Sequence, residues 1–378
     1  MIEIVVGDDI CPIGRSTALL EQGDTKRLFN DLLPIINQAD IAVANLECPL
    51  IGKPTPIMKT GSVLGAPTFC AKALKNAGLS LVNLANNHIL DHGSTGLSST
   101  LIACSAANLG TFGAGSNLDE AKRIVVREVN GTRIGFMGLA EHEWSIAGTD
   151  RAGANPLDPI KFTRDIRDQN GSFDFLIVFV HGGLEHRPYP TPRIRETCRF
   201  LVEQGAGAVF CHHSHCPGCY ERYLDAYIVY GQGNLIFDID PPPTEHWNRG
   251  FLVRLILDEK LASSMELVPY SQFEFSVGAS LLSKTDSKAF LDQIEERSVQ
   301  ISQKGFLDAR WLDSCNQRTA EYLNSLHGHS RWLSRLKRLY DPTSFLHAPD
   351  HHLRLLNLIR CETHREVIET ILSSSVKS

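Results

Sequence analysis

The sequence predicts an α/β layered domain followed by a helical C-terminal region. Up to about residue 238, short apolar runs rich in Val, Ile and Phe alternate with segments of helical spacing, a pattern typical of sheets covered by helices. After about residue 283, Gly becomes scarce and the remaining segments have helical spacing. With 378 residues, about two domains are expected. We therefore expect a core at 1–282 and a helical region at 283–378 that serves as a lid, in dimerisation or in substrate binding.

Apolar runs bounded by turn residues give the predicted strands of the core. They lie at 2–6, 41–45, 81–84, 175–180, 208–211, 227–230, 251–257 and 265–268. Asn130 and Gly131 separate two further β-like runs, 124–129 and 133–139, which predicts a hairpin with a type I′ turn.

Helical spacing, in several cases with Thr near the start and Gly after the end, gives the predicted helices. In the core they lie at 25–38, 68–77, 95–107 and 191–204, and in the C-terminal region at 288–303, 308–326, 331–340 and 351–372.

Composition excludes several classes of protein. The chain is 43% hydrophobic and 21% charged, far from disordered or fibrous sequences. The net charge of -6 argues against nucleic-acid and anionic-membrane partners, which normally require excess Lys and Arg. No secretion signal or run of about 18 apolar residues is visible, so we expect a cytoplasmic protein. Ten scattered Cys predict reduced core thiols.

Polar residues able to bind metal follow the predicted strands, at the point where each strand ends. The clusters are Asp8 and Asp9, Asn45 and Glu47, Asn86 to His88 with Asp91, His181 with Glu185, His212 to His215, and Asn234. A single His after a strand is usually a structural residue. Because the ends of parallel strands meet at one sheet edge, however, the clusters are expected to lie close together. Together these carboxylates and imidazoles are a ligand set for two divalent ions. Mixed N and O ligands suit Zn, Mn, Fe or Co better than Ca or Mg.

The order of these clusters resembles a known family. Gly-Asp, Asn-Leu-Glu, Ala-Asn-Asn-His-x-x-Asp-x-Gly, His-x-Gly-x-Glu and His-His-x-His occur in the order found in the CapA, or poly-γ-glutamate capsule biosynthesis, branch of the calcineurin-like metallophosphatase superfamily. The resemblance covers about residues 2–240. It implies a four-layer α/β/β/α sandwich with two metal ions between the sheet edges.

The resemblance also implies roles for individual residues. The implied metal ligands are Asp8, Glu47, Asn87, His181, His213 and His215, with Glu47 as the bridging carboxylate. The implied catalytic group is His88, oriented by Asp91, and Glu185 is a further candidate acid or base. The residues expected to contact substrate are Asp9, Asn234, His212 and His142.

Two other features of the sequence are a pair of cysteines and a basic stripe. Cys216-x-x-Cys219 lacks a second pair at zinc-finger spacing, so a tight turn is favoured over a metal or redox site. A basic stripe is favoured as a solvated face, with a surface for an acidic peptide as the alternative. It comprises Arg331, Arg335, Lys337 and Arg338.

The favoured function is metal-dependent hydrolysis of a peptide or amide substrate that contains carboxylates, as polyglutamate does. Two metal ions polarise a carbonyl or phosphoryl oxygen and lower the pKa of water to about 7. Three alternatives stay open. They are epimerisation at a Cα of a ribosomal, lasso-type precursor peptide, phosphoester hydrolysis, and non-catalytic binding of a polymer or peptide.

Overall fold

The computed structural model describes residues 1–169, 171–327 and 349–376, so the predicted basic stripe lies outside the described residues. The strands are β1 Ile2–Cys11, β2 Ile41–Leu46, β3 Leu50–Ile51, β4 Ala66–Pro67, β5 Leu81–Asn83, β6 Gly110–Phe112, β7 Ala114–Gly115, β8 Val125–Val129, β9 Thr132–Ala140, β10 Gly153–Ala154, β11 Phe175–His181, β12 Ala208–His212, β13 Pro217–Tyr223, β14 Ala226–Gln232, β15 Asn234–Phe237, β16 Arg249–Leu257, β17 Ser263–Gln272 and β18 Ala279–Leu281.

The helices follow the same chain order. They are α1 Arg15–Glu21, α2 Thr25–Phe29, α3 Leu33–Gln38, α4 Cys70–Asn76, α5 Gly93–Ala106, α6 Leu118–Ala121, α7 Pro159–Asp168, α8 Pro192–Glu203, α9 Lys284–Ser302, α10 Phe306–His327, α11 Pro349–Arg360 and α12 Glu362–Val376. None of the helices in the described ranges is long and apolar enough to cross a membrane.

Two large sheets form the centre of the molecule. The first has the order β18-β17-β16-β1-β2-β5-β6, with β15 also beside β1, and the second has the order β13-β14-β12-β11-β9-β8. Strands β1, β2, β5 and β6 are parallel, as are β9, β11, β12 and β14. Each sheet therefore has a parallel part whose strand ends can gather functional side chains at one edge.

Alternation along the strands separates the layers. In β1, Ile4 and Val6 belong to an apolar cluster that also contains Ile177 and Phe179 of the other sheet. Val5, between them, belongs to a cluster with residues of α1, α4 and α5. Even-numbered residues of β11 pack with residues of α7 and α8. Because side chains alternate between the faces of a strand, the order is helices, sheet, sheet, helices, which confirms the predicted four-layer sandwich.

Several elements differ in detail from their predictions. The helix predicted at 25–38 is split, because Asn30 has φ +40° and begins a short 3₁₀ turn between α2 and α3. The predicted turn at Cys216-x-x-Cys219 is wrong, since 217–223 forms strand β13, which pairs with β14. The predicted hairpin is confirmed, with positive φ at both turn residues, Asn130 and Gly131. All ten cysteines are buried and free, as predicted for core thiols.

The C-terminal helices pack against the core in two ways. Helix α9 inserts Phe290 and Ile294 into the cluster between the sheets. Helices α10 to α12 form another apolar cluster, in which Trp311 and Val367 accompany Leu184 of the core. Helix α9 is therefore continuous with the sandwich, whereas α10 to α12 cover the loop that follows β11.

Replacing Ile294 with Ala is expected to lower the free energy of unfolding by about 2–5 kcal/mol, because it leaves a cavity between the sheets. Ile294 has no exposed surface. The matched control is Val299→Ala on the same helix, where the side chain is 52% exposed and the change should stay within about 0.5 kcal/mol. Urea unfolding measures both. Equal effects of the two substitutions would mean that α9 is not part of the core.

Candidate metal centre

Strand register brings the predicted site residues together. Asp9, Asn45 and Asn83 lie side by side across β1, β2 and β5. In the second sheet, His181 of β11 lies beside His212 of β12. The chain then continues from β12 through His213 and His215, which both have positive φ. The carboxyl ends of parallel strands from both sheets thus meet at one place.

Glu47 is at the centre of this place. Its side chain is fully buried, and its Oε1 lies 3.3 Å from Nε2 of His181 and 3.6 Å from Nε2 of His215. Neither carboxylate oxygen has a hydrogen-bond partner among the described residues. Burying a carboxylate without donors is costly unless a cation compensates it. The residues present therefore fit a metal ion bound by Glu47.

Two groups of ligand atoms share Glu47. One group contains Glu47, His181 and His213, and the other contains Glu47, Asp9 and His215. The Oδ1 atom of Asn87 lies 3.0 Å from Nε2 of His181 and adds an oxygen to the first group. A carboxylate common to two groups is the arrangement expected of a bridging ligand between two divalent ions.

The two aspartates of β1 differ in their surroundings. Asp9 belongs to the group around Glu47 and accepts hydrogen bonds from Asn45 and from the backbone N–H of His213. Asp8 accepts a 2.6 Å hydrogen bond from the backbone N–H of Gln232, and its Oδ1 lies 3.9 Å from Nε2 of His212. Asp9, expected to contact substrate, is fully buried and lies among the metal ligands. Asp8, expected as a ligand, forms an adjacent group with Asp9 and His212.

The other residues expected to contact substrate have different partners. His212 and Asn234 are at most 1% exposed, so neither side chain is available to a substrate in the cleft. Asn234 Oδ1 accepts a 2.9 Å hydrogen bond from Nδ1 of His215, which leaves Nε2 of that ring to bind a metal. His142 pairs through Nδ1 with Glu362 of α12. The side chain of His142 is still 35% exposed, so its expected contact with a substrate stays a prediction.

A chain of asparagine side chains supports the ligands, and sequence reasoning did not assign it this role. Asn83 donates to Oδ1 of Asn45, and Asn45 donates to Oδ1 of Asp9, at 2.9 and 2.7 Å. Gly138 faces Asn83 so closely that a Cβ at 138 would lie 2.0 Å from Oδ1 of Asn83. In the sequence, Asn45 and Asn83 each lie at or near the end of a predicted strand, and this position could have indicated the role.

The charges of the centre are unequally distributed. Burial, and next the charge of Asp9, raise the pKa of Glu47 well above its ordinary value. Burial also holds the pKa values of His181 and His213 well below the ordinary value, with added repulsion between the rings. For His215 burial acts in the same downward direction, but Glu47 and Asp9 outweigh it and raise the pKa. Neutral rings at 181 and 213 are the form that binds metal.

His88 and Asp91 form the predicted pair. Nδ1 of His88 lies 2.6 Å from Oδ2 of Asp91. Lys59, which sequence reasoning missed, places Nζ 2.6 Å from Oδ1 of Asp91 and 3.3 Å from Nδ1 of His88. Its side chain is only 2% exposed. Because Nδ1 of His88 faces Asp91 and Lys59, Nε2 is the nitrogen left for proton transfer.

A cavity of about 470 Å³ lies in front of the centre. From the core it is lined by Lys59, Asn87, His88, Glu143, Glu185, His213, His215 and Trp247, among others. The C-terminal helices contribute Arg318, Tyr322, Asn357 and His364. Glu185, predicted as a candidate acid or base, has a carboxylate oxygen within 4.8 Å of a ring nitrogen of His213 and of His215. Burial raises the pKa of the Glu143 carboxyl, which also lines this cavity, to about 7.

The sequence is similar to known proteins. The family model for the bacterial capsule synthesis protein PGA_cap matches residues 3–239. The capsule biosynthesis protein CapA of Bacillus anthracis is 28% identical over 65% of this chain and 61% of its own length. The PGA biosynthesis protein CapA of Bacillus subtilis (strain 168) is 30% identical over 58% of each chain. The chain thus spans about 60% of the length of these two relatives.

Two solved structures have weaker similarity. A hypothetical protein from Thermus thermophilus is 14% identical, with a TM-score of 0.48 over 72% of this chain and 100% of its own. The 5'-nucleotidase from Candida albicans SC5314 is 11% identical, with a TM-score of 0.40 over 71% of this chain and 51% of its own. Neither likeness carries an argument about function. The family model spans more than half of the sequence and includes every ligand of the centre, and the chain therefore belongs to the bacterial capsule synthesis protein PGA_cap family.

Proposed function

We propose that this chain is a metal-dependent enzyme that hydrolyses a peptide or amide substrate carrying carboxylate groups. The proposal is supported most strongly by Glu47, a fully buried carboxylate between His181 and His215 whose two oxygens have no hydrogen-bond partner in the described part of the chain. Asn87, His181 and His213 would hold one ion with Glu47, and Asp9 and His215 would hold the other. Zn, Mn, Fe and Co all suit this donor set.

The residues in front of the centre have separate tasks. Two divalent cations bound there would supply Lewis acidity for a carbonyl oxygen and a source of hydroxide at neutral pH. His88 can deliver a proton from Nε2 to the leaving amine, because Asp91 holds the opposite nitrogen of the ring. Lys59 fixes Asp91 through an ion pair and thereby positions the ring.

The cavity wall suggests the class of substrate. Arg318 places a cationic side chain at a cavity that also contains several imidazoles and the carboxylates Glu143 and Glu185, while the charge of Lys59 is already paired with Asp91. Arg318 and the imidazoles complement carboxylates on the substrate. The names of the relatives refer to capsule biosynthesis, to PGA biosynthesis and, for a Mycobacterium tuberculosis protein, to a probable accessory role in polyglutamine synthesis. A glutamate-rich peptide or polymer fits both considerations.

A second candidate, epimerisation at a peptide Cα, is favoured by Glu143. This carboxyl lines the same cavity as His88, hydrogen-bonds with Asn87 and has its pKa raised to about 7 by burial. Removal and return of a Cα proton require two acid or base groups in one site, and Glu143 and His88 would be these groups. Phosphoester hydrolysis and non-catalytic binding are the remaining outcomes of the test.

His88→Gln is expected to lower kcat on a glutamyl peptide by roughly 10²–10⁴-fold, since it removes the proton donor, while the metal content stays unchanged. The matched control is His246→Gln, an exposed imidazole whose ion-pair neighbour in the described part of the chain is the adjacent Glu245. Mass spectrometry in deuterated water follows both cleavage and exchange, and p-nitrophenyl phosphate is assayed in parallel.

Each result assigns a function. Cleavage that depends on added metal and on His88 supports the hydrolase, whereas deuterium at a Cα without cleavage supports the epimerase and overturns the hydrolase. Turnover of the phosphate ester alone indicates a phosphoesterase. Peptide binding without any turnover by the metal-loaded protein indicates a binding protein.

A further inference from the structure

A second cluster of metal-ligating side chains lies where the C-terminal helices meet the core. Glu143 lies in the loop after β9, Cys361 lies between α11 and α12, and His364 lies in the first turn of α12. One ligand atom of each lies within 4.8 Å of the others. We propose that Glu143, Cys361 and His364 form a third metal site, suited to Zn²⁺, which fastens the C-terminal helices to the core at the wall of the cavity.

The local sequence prepares two of the ligands. Cys361 and His364 are three residues apart at the start of α12, a spacing that puts both side chains on one side of a helix. The backbone N–H groups of His364 and Thr363 donate to the sulfur of Cys361. Burial raises the pKa of this thiol, whereas amides at the start of a 15-residue helix and a bound cation both favour the thiolate, which is the form that binds metal.

The thiol is otherwise poorly partnered. Cys361 is 2% exposed, and its one hydrogen bond to another side chain in the described part of the chain is a 3.8 Å contact to Oε2 of Glu141. The geometry brings this buried sulfur close to a carboxylate and an imidazole from different parts of the chain. Metal binding would release the proton of the thiol to solvent, and the metal–sulfur bond would replace the S–H bond.

His364 is held in a suitable orientation. Its Nδ1 lies 2.6 Å from the hydroxyl oxygen of Tyr322 on α10. A hydrogen bond at one ring nitrogen is the usual means of directing the other nitrogen to a metal. Nε2 is therefore the nitrogen assigned to the ion.

The ligand set indicates the metal and the open position. One sulfur, one nitrogen and one oxygen ligand favour Zn²⁺ over Ca²⁺ or Mg²⁺, and three protein ligands leave one position of a tetrahedron free. Glu143 and His364 both line the cavity, so this position faces the same space as the Glu47 centre. The thiolate and the carboxylate together neutralise a divalent charge.

The proposed site at Glu143, Cys361 and His364 could bind zinc whether or not the chain is a hydrolase. The family match ends at residue 239, so Cys361 and His364 belong to the part of the chain outside it. A metal at this point joins a loop of the core to α12 and thereby fixes the wall that carries Arg318 and Tyr322. It would make the shape of the cavity dependent on zinc.

The test uses the full chain loaded with Co²⁺ or Zn²⁺ and then desalted. The wild type is expected to have a thiolate-to-cobalt charge-transfer band in the near ultraviolet and about one more metal ion per chain than Cys361→Ala. Cys315→Ala is the matched control, because Cys315 is also a buried thiol of the C-terminal helices but is not in the cluster. This variant should retain the band and the metal.

Further variants keep the result unambiguous. Glu47→Gln should lose metal from the first centre yet keep the charge-transfer band, so the two sites can fail separately. His364→Gln keeps the thiol and should lose the third ion, which covers the case in which Cys361→Ala does not fold. Absence of the band in the cobalt-loaded wild type would overturn the proposal, as would a band that survives in folded Cys361→Ala.

Discussion

Glu47→Gln is expected to remove most of the bound metal and to reduce metal-dependent turnover at least about 100-fold, because both ligand groups lose their shared carboxylate. The effect of Glu47→Gln on the free energy of unfolding should differ between the metal-free and the metal-loaded protein. In the metal-free protein no donor from residues 1–169, 171–327 or 349–376 bonds to this buried carboxyl, and burial raises its pKa, so a neutral amide should not lower the free energy of unfolding. In the metal-loaded protein the same change removes a ligand and lowers that free energy.

The control for this difference is Glu221→Gln. Glu221 is a partly buried carboxylate that accepts hydrogen bonds from Arg195 and Arg199, away from the centre. Its replacement should destabilise the protein equally with and without metal. Thermal unfolding with and without a chelator, together with metal analysis, measures both variants. A Glu47→Gln protein that binds as many metal ions as the wild type would exclude Glu47 as the bridging ligand.

Glu141→Ala is expected to lower the free energy of unfolding by about 2–4 kcal/mol and to loosen the C-terminal helices. Glu141 is 3% exposed and accepts hydrogen bonds from the backbone N–H of Gly183 and from Oγ1 of Thr363 on α12, at 3.0 and 2.8 Å. It also pairs with Arg193 of α8. Because Arg193 is 29% exposed, the loss stays below that of a fully buried pair.

Urea unfolding measures the change in the free energy of unfolding, and limited proteolysis measures how firmly the C-terminal helices are held. Cleavage within 306–376 should become faster in Glu141→Ala than in the wild type, since one side chain joins the core to α12. Asp174→Ala removes a carboxylate from an exposed pair with Arg133 and should change neither measurement appreciably. If proteolysis of the C-terminal helices were unchanged in Glu141→Ala, the docking of α12 would rest on its apolar contacts and on other polar pairs, such as His142 with Glu362.

The ligands that the sequence could predict share one property. Glu47, His181 and His213 each stand just after, or at the end of, an apolar run with the pattern of a strand. Parallel strands place such positions at one edge whatever the sequence separation, so a one-dimensional pattern carries three-dimensional information. The family resemblance added the order of the motifs, and the family model confirms that resemblance.

The positions of Asp8 and Asp9 depend on the length and register of β1, which the pattern of apolar residues does not show. The predicted strand ended before these residues, whereas β1 continues to Cys11 with an irregularity of register between Val6 and Asp9. A shift of one residue reverses the side chains between the faces of a strand. The structure therefore places Asp9, and not Asp8, with Glu47 and His215.

By itself, the sequence determined the layered fold and the sheet edge at which most of the candidate ligands lie, because strand periodicity and strand-end motifs are local. Which residues line the cavity could be learned only from the tertiary structure. Glu143 meets His364 from more than 200 residues away, and Lys59 reaches Asp91 from a loop without regular structure. Such contacts arise from packing between distant segments, and no spacing in the chain records them.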